Sequence, residues 1–259
     1  MWINFLLFVI HMVSSSHFYG GTITWRIQNA TNTSQIAIFI SQTYAWTFTV
    51  APCDTVAIAT KKAVTVSAGT LVCTNSCPLK FGPVSTMGSC VDGSQLNNIG
   101  VGQRSDVAKA PENSSFSVIY QGYAWGGLTI AAGGWSILSK INLIRRSDND
   151  LFNNAPVAIV ISPINIEFNK TTIITISVSD PDGDILRCRW ASKSRSADDE
   201  CNSICPPTSL PAGTNISSDD CTIEIKGTIL NSRYAVAIMV SLVSVAFLLF
   251  EIYYLSSID

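Results

Sequence analysis

Residues 21–28 of the chain read GTITWRIQ, and this stretch shows the pattern that decides the fold. Polar and apolar residues alternate in it, so that Ile23, Trp25 and Ile27 fall on one face of an extended chain. Similar runs, rich in Thr, Val, Ile and aromatic residues and interrupted by Gly or Pro, recur along the chain. No segment before residue 230 keeps the period of an amphipathic helix. The sequence therefore predicts an all-β protein.

The charge of the chain is low and balanced. Its 259 residues include 16 Lys and Arg and 18 Asp and Glu, so the net charge is −2 at pH 7. No stripe of Lys and Arg is available for phosphate groups, which argues against a nucleic-acid partner. His11 and His17 are the only histidines, and no G-x-S-x-G, H-E-x-x-H or Walker motif occurs. We therefore expect no catalytic residues and a protein that is not an enzyme.

The first segment has the features of a secretory signal peptide. Residues 2–13 form a 12-residue apolar run followed by three serines, which is too short to span a bilayer. Cleavage after Ser16 would make residues 1–16 the signal peptide and His17 the mature N-terminus. An uncleaved anchor is the alternative.

The cysteines and the N-glycosylation sequons agree with secretion. Each half of the chain holds four cysteines, and in an oxidising compartment this predicts two disulfides within each half, with three pairings open for each foursome. Zinc half-sites are the minority alternative, because no histidine lies near. The cysteines are Cys53, Cys73, Cys77, Cys90, Cys188, Cys201, Cys205 and Cys221. The sequons begin at Asn29, Asn32, Asn113, Asn169 and Asn215.

A polar stretch rich in Asn and Asp, Arg145–Pro156, has the composition of an interdomain linker. It divides the chain into an N-terminal β domain over 17–147 and a second domain over 148–232. Short strands at regular spacing favour β-sandwich domains, with an immunoglobulin-like or cadherin-like architecture for the second.

The apolar segment 233–255 has two incompatible interpretations. From Tyr234 to Leu255 the chain offers 22 residues, interrupted only by Glu251, which is enough for a transmembrane helix. Alternation over 233–240 instead indicates the last strand of the second domain. A glycosylphosphatidylinositol signal is a weaker third interpretation. The length of the run favours the membrane helix, and with it a membrane-anchored or secreted protein.

The segment 179–184, SDPDGD, is the most specific short motif. Its alternating carboxylates, Asp180, Asp182 and Asp184, are hard oxygen ligands of the kind that Ca²⁺ takes, and Asp150 and Asn154 would join them if the linker folds back. The alternative is a plain acidic β-turn with Pro and Gly at the positions that turn geometry favours. Calcium is the only cofactor that the sequence suggests.

Two resemblances follow from these motifs. Residues 153–157, NNAPV, with the acidic turn downstream, resemble the linker and turn of cadherin-like and immunoglobulin-like repeats, although Asn153 replaces the usual aspartate. Residues 16–25, SHFYGGTITW, together with DGD and RCRW further along, resemble a group of uncharacterised invertebrate secreted and cell-surface proteins that open S-H-F-x-G-G-T-I-x-W. The second resemblance implies architecture and location, and no catalytic residues.

A short internal repeat suggests what kind of partner the protein binds. QTYAW at 42–46 recurs as QGYAW at 121–125, and aromatic side chains at alternate positions could stack on sugar rings. Core or cross-strand packing is the favoured interpretation of both copies. We thus expect a non-enzymatic extracellular recognition, adhesion or matrix protein with a protein or glycan partner. A secreted glycan-binding or glycan-active protein, using aromatic platforms and isolated acids such as Asp54 and Glu112, is the alternative.

Overall fold

The computed structural model describes residues 18–29, 34–159, 163–193, 198–242 and 249–258, and in these ranges the protein is all-β, as the sequence predicts. The proposed signal peptide, His17 and Asn32 lie outside the described residues. The strands are β1 (Phe18–Asn29), β2 (Gln35–Thr47), β3 (Val72–Thr74), β4 (Ser89–Ser94), β5 (Ile99–Pro111), β6 (Ser115–Gly122), β7 (Trp135–Asn142), β8 (Val157–Ile159), β9 (Ile164–Glu167), β10 (Thr171–Thr175), β11 (Ser177–Ser179), β12 (Leu186–Trp190), β13 (Asn215–Ser217), β14 (Thr222–Lys226), β15 (Arg233–Leu242) and β16 (Leu249–Ile258). One short helix, α1 (Thr55–Ala59), begins where Asp54 accepts a hydrogen bond from the Ala57 amide at 2.7 Å.

A large sheet runs through both halves of the chain. Its path is β3-β6-β7-β16-β1-β2-β5-β4, and β15, β12 and β9 are joined to it through β16 and β15. The small sheets β10-β14-β13 and β8-β11 belong entirely to the second half. The halves are therefore connected by backbone hydrogen bonds as well as by the linker.

The first core is centred on aromatic rings. Phe18 is fully buried, and its ring centroid lies 4.8 Å from that of Trp46, 5.3 Å from Trp125 and 4.2 Å from Trp135. Ile23 and Trp25 are buried in the same core and Ile27 packs against it, which confirms the one-sided pattern of β1. Burial of rings of this size supplies much of the hydrophobic stabilisation of a small domain.

The second core is smaller and is built only from residues of the second half. Its buried members come from β9, β10, β12, β14 and β15 and from the loops between them. They are Ile166, Ile174, Ile176, Cys188, Leu210, Cys221, Ile223, Ile225, Tyr234, Val236, Ile238 and Val240.

Strand β15 is shared by the two cores. Ala235, Ala237 and Met239 are buried in the first core, while the intervening Val236 and Ile238 are buried in the second. Ala235, Ala237 and Met239 thus face the tryptophan-rich core, and the β-branched Val236 and Ile238 face the aliphatic core. A strand buried on both faces has an uninterrupted apolar sequence, because neither face needs polar residues.

The structure corrects the favoured expectation of a membrane helix that begins at Tyr234. Residues 233–242 instead form a strand that pairs with β12 along one edge and β16 along the other. Residues 243–248 of the predicted span lie outside the described residues. In the described ranges no helix has both the length and the apolar character that crossing a membrane would take.

All four disulfides close within one half of the chain, as predicted. Two close loops of intermediate length, Cys53–Cys90 and Cys188–Cys221, and two join cysteines four residues apart, Cys73–Cys77 and Cys201–Cys205. No zinc half-site remains among these cysteines, because every one of the eight is paired.

The two classes of disulfide should contribute differently to stability. Replacing Cys188 and Cys221 together by Ala is expected to lower the free energy of unfolding by about 3–4 kcal/mol, because that bond closes a long loop in the unfolded chain. The matched change at Cys73 and Cys77 should cost about 2 kcal/mol or less. Urea denaturation followed by circular dichroism measures both, and equal losses would contradict this order.

Candidate functional site

The face of β1, β2 and β5 that points away from the first core, here called the outer face, carries two rungs of uncharged polar side chains between two rungs that are largely apolar. Cross-strand pairing arranges these residues in rungs that run across the three strands. Successive rungs are Gly20 with Ala45 and Val101; Thr22 with Thr43 and Gln103; Thr24 with Ser41 and Ser105; and Arg26 with Phe39 and Val107.

The chain segment after the linker forms a wall beside the outer face. The Ala155 amide donates to the Trp25 carbonyl at 3.1 Å, and Thr24 Oγ1 donates to the Pro156 carbonyl at 2.9 Å. Residues 157–159 then form β8, which lines the groove beside the outer face, and Ile159 is 65% exposed. The linker is thus fixed along the edge of β1, and an apolar wall stands beside a floor of hydroxyl groups.

Floor and wall enclose a groove of about 560 Å³, within the size range of small-ligand sites. Among the lining side chains that the structure describes, Arg26 is the one charged residue, and its guanidinium lies 4.9 Å from the centroid of the Phe39 ring. Hydroxyl, amide and apolar groups make up the rest of the lining. Such a surface can hydrogen-bond a neutral ligand, but the part of its lining within the described ranges contains no carboxylate, histidine or cysteine to act as a base or nucleophile.

The repeated aromatic motif contributes to the core. Tyr44, Trp46 and Trp125 are each less than 5% exposed, and both tryptophans contact Phe18. Tyr123 alone is exposed. Burial raises the pKa of the Tyr44 hydroxyl well above its usual value. The favoured interpretation of the motif as core packing is confirmed for three of its four rings, so it cannot present a pair of aromatic platforms.

The isolated acids of the first half have structural partners. Asp54 caps α1, and Glu112 accepts from Arg145 at 2.8 Å. Asp92 accepts from the Gly93 amide at 2.7 Å. Asp106 lies within β5 and is bridged by Arg104 at 2.6 Å. None of the four lines the groove.

The acidic turn, residues 179–184, brings three of the predicted ligands together. One oxygen from each of Asp180, Asp182 and Asp184 lies within 4.8 Å of the others. Asn154 also reaches the turn, donating from its amide N and Nδ2 to the two oxygens of Asp182 at 2.6 and 2.8 Å. Asp150 lies apart, with its side chain 86% exposed and its carbonyl accepting from Arg145.

Protein donors already occupy most of the turn's oxygens. Arg146 donates to both oxygens of Asp184 and also to Asp148 and Asn153. Asp180 Oδ1 accepts from the amides of Asp182 and Asp184 at 2.8 and 3.1 Å. Of the six carboxylate oxygens, only Asp180 Oδ2 has no partner among the residues that the structure describes, and it is buried. The geometry therefore fits the alternative interpretation, an acidic turn that closes on the linker, and calcium would have to displace Arg146 and Asn154.

Sequence reasoning did not find the groove or the role of Arg146. The hydroxyl rungs were visible as the polar half of the alternation in β1 and β2, but only cross-strand register places them side by side. Arg146 lies 38 residues from Asp184, and no local pattern links the two.

The four sequon asparagines in the described ranges, Asn29, Asn113, Asn169 and Asn215, are all exposed. Asn113 and Asn169 occupy turns with positive φ. Neither a protein-family model nor a curated protein matches the chain.

Asp180 offers a test of the acidic turn. Burial raises the pKa of its carboxyl, and the neighbouring charges of Asp182 and Asp184 raise it further, against two backbone hydrogen bonds that lower it. The ionised form is therefore disfavoured in the folded state. The protonated carboxyl favours folding at low pH, and this contribution to the free energy of unfolding is lost as the pH rises through the folded pKa. Without calcium, Asp180→Asn should gain stability relative to wild type as the pH rises from about 4 to about 7.

Denaturant melts of Asp180→Asn in chelator and in millimolar calcium measure this effect. Asp150→Asn is the matched control, and its stability relative to wild type should be the same in chelator and in calcium. A bound calcium ion needs the Asp180 carboxylate, so a variant that is less stable than wild type only when calcium is present would contradict the turn described above and establish the metal site.

Proposed function

We propose that the protein is an extracellular recognition or adhesion protein, rather than an enzyme, that binds its partner through the groove on the outer face. The observation that carries the proposal is the lining of the groove. It offers hydrogen-bonding and apolar groups at fixed cross-strand spacing, with Arg26 as the single charge and no general base among the lining residues. Such a lining supports binding, whereas hydrolysis would need a nucleophile with a base or a pair of carboxylates.

Several features support an extracellular location. Four disulfides suit an oxidising compartment, and the exposed sequon asparagines would accept glycans there. In this proposal residues 1–16 are a cleaved signal peptide and His17 begins the mature chain. The mature chain comprises two β-sandwich-type domains, the second similar to cadherin-like or immunoglobulin-like repeats.

A glycan-active enzyme is the weaker candidate. The isolated acids Asp54 and Glu112 are engaged as a helix cap and an ion pair, and both lie outside the groove. Three of the four rings proposed as sugar platforms are buried. A saccharide remains a suitable ligand for the hydroxyl rungs themselves.

A groove-filling variant tests the proposal. Thr43 lies at the centre of its rung, so Thr43→Trp should fill the groove from the outer face without touching the first core. Binding of the purified full chain to cells and to a printed glycan panel should fall about tenfold or more. Thr60→Trp, at the exposed end of α1, is the matched control and should bind as wild type does.

Two results would overturn the proposed function. Equal binding by wild type and Thr43→Trp would remove the groove as the recognition surface. Turnover of a glycan substrate that is abolished by Glu112→Gln would show an enzyme instead.

A further inference from the structure

Asn29 lies on the outer face because the register of β1 shifts near its end. Ile27 pairs with Ile38, whose side chain is in the first core, but Asn29 pairs with Ala37 after an irregularity between the two. Ala37 is on the same face of β2 as Phe39 and Ser41, since side chains alternate along a strand. The shift therefore turns the Asn29 side chain away from the core and onto the face that carries the groove.

Asn29 also lies one rung beyond the end of the groove that Arg26 and Phe39 form. Asn29 pairs with Ala37, and Phe39 lies two residues further along β2 on the same face. Asn29 and Phe39 are therefore diagonal neighbours, which in a sheet lie about 7–8 Å apart. Phe39 is partly exposed, and Val107 in the same rung is 51% exposed. The next rung towards the centre is Thr24 with Ser41 and Ser105. Arg26, in the same rung as Phe39, lies over the Phe39 ring with its guanidinium 4.9 Å from the ring centroid. An attached group at Asn29 thus meets the Arg26–Phe39 pair first and hydroxyl groups next.

The floor of the groove offers a ligand side chains rather than free backbone groups along its middle strand, β2. Each residue of β2 from 35 to 47 pairs with β5, and residues 37–46 also pair with β1, so the backbone of the middle strand is engaged on both edges. An extended peptide therefore cannot pair with the backbone of this middle strand. A saccharide, which has apolar ring faces and many hydroxyls, matches Phe39 and the hydroxyl rungs.

We propose that the N-glycan on Asn29 folds back onto the outer face, packs its first sugars over Phe39 and the Thr24–Ser41 rung, and covers one end of the groove. A tethered sugar has an effective concentration in the millimolar range, so contacts too weak to hold a free saccharide are occupied. The proposal rests on the extracellular location given above and adds regulation of the same site: a partner reaches the full groove only where Asn29 carries no glycan.

The other sequons give the control. Asn113 sits in the turn between β5 and β6, with a φ of 62°, and its amide donates to the Leu143 carbonyl. It lies beyond the end of β5 and next to Leu143, which is buried in the first core, on the opposite side of β1, β2 and β5 from the groove. A glycan there should project into solvent and leave the outer face unchanged.

Hydroxyl-radical footprinting of the full glycosylated chain, read by peptide mass spectrometry, tests the cover. Thr31→Ala removes the first sequon and keeps the Asn29 side chain, and oxidation of Phe39 should then rise about threefold or more, as expected when a covered ring becomes exposed. Asn113→Gln should leave oxidation of Phe39 unchanged. Equal oxidation of Phe39 in wild type and both variants would overturn the proposal.

Glycopeptide analysis of the same samples supplies a second readout. A glycan packed on the protein is shielded from processing enzymes, so the Asn29 glycan should stay less processed than the Asn113 glycan, and Phe39→Thr should abolish that difference. Occupancy at Asn113, Asn169 and Asn215 with none at Asn29 would overturn the proposed cover while leaving the extracellular location supported. No glycan at any sequon in a secretory host would count against both.

Discussion

Burial of β15 on both faces is the constraint on which the rest of the structure depends. Successive residues of this strand, Val236 and Ala237 for example, enter different hydrophobic cores. Neither core is complete without the strand, so the two halves of the chain cannot separate without exposing apolar surface on both sides. The pairing of β15 with β12 and β16 satisfies its backbone polar groups at the same time.

Contacts outside β15 strengthen the connection between the halves. Thr74 Oγ1 and Asn75 Nδ2 donate to Asp198 at 2.7 and 2.5 Å, and Ala191 and Ile204 of the second half are buried in the first core. The acidic turn also holds the linker, because Arg146 of the linker donates to Asp184 of the turn. Because Arg146 is only 11% exposed and its partner Asp184 14%, this ion pair is screened less than a surface pair. The groove owes its wall to these contacts, which hold the linker against β1.

Local pattern was enough to predict an all-β chain but not to separate the two interpretations of residues 233–242. It also favoured a strand over 55–69, where the structure has the short helix α1. Alternation predicted β1, including the burial of Ile23 and Trp25, because one face of that strand points outward and remains polar. In β15 both faces are buried, so the sequence loses its alternation of polarity and matches a membrane span equally well. The second core becomes apparent only from the pairing of β15 with β12, a strand far upstream in the sequence, which composition alone does not reveal.

Methyl NMR on the full chain tests the shared strand most directly, by comparing two conservative changes at neighbouring positions. Ile238→Val should shift methyl resonances of the second core, such as those of Ile223 and Ile225, and leave Ile137 and Leu138 of the first core nearly unchanged. Met239→Leu should do the reverse, because its side chain enters the first core. Shifts in the same set of methyl groups for both variants, or in neither set, would contradict a strand that divides its faces between two cores.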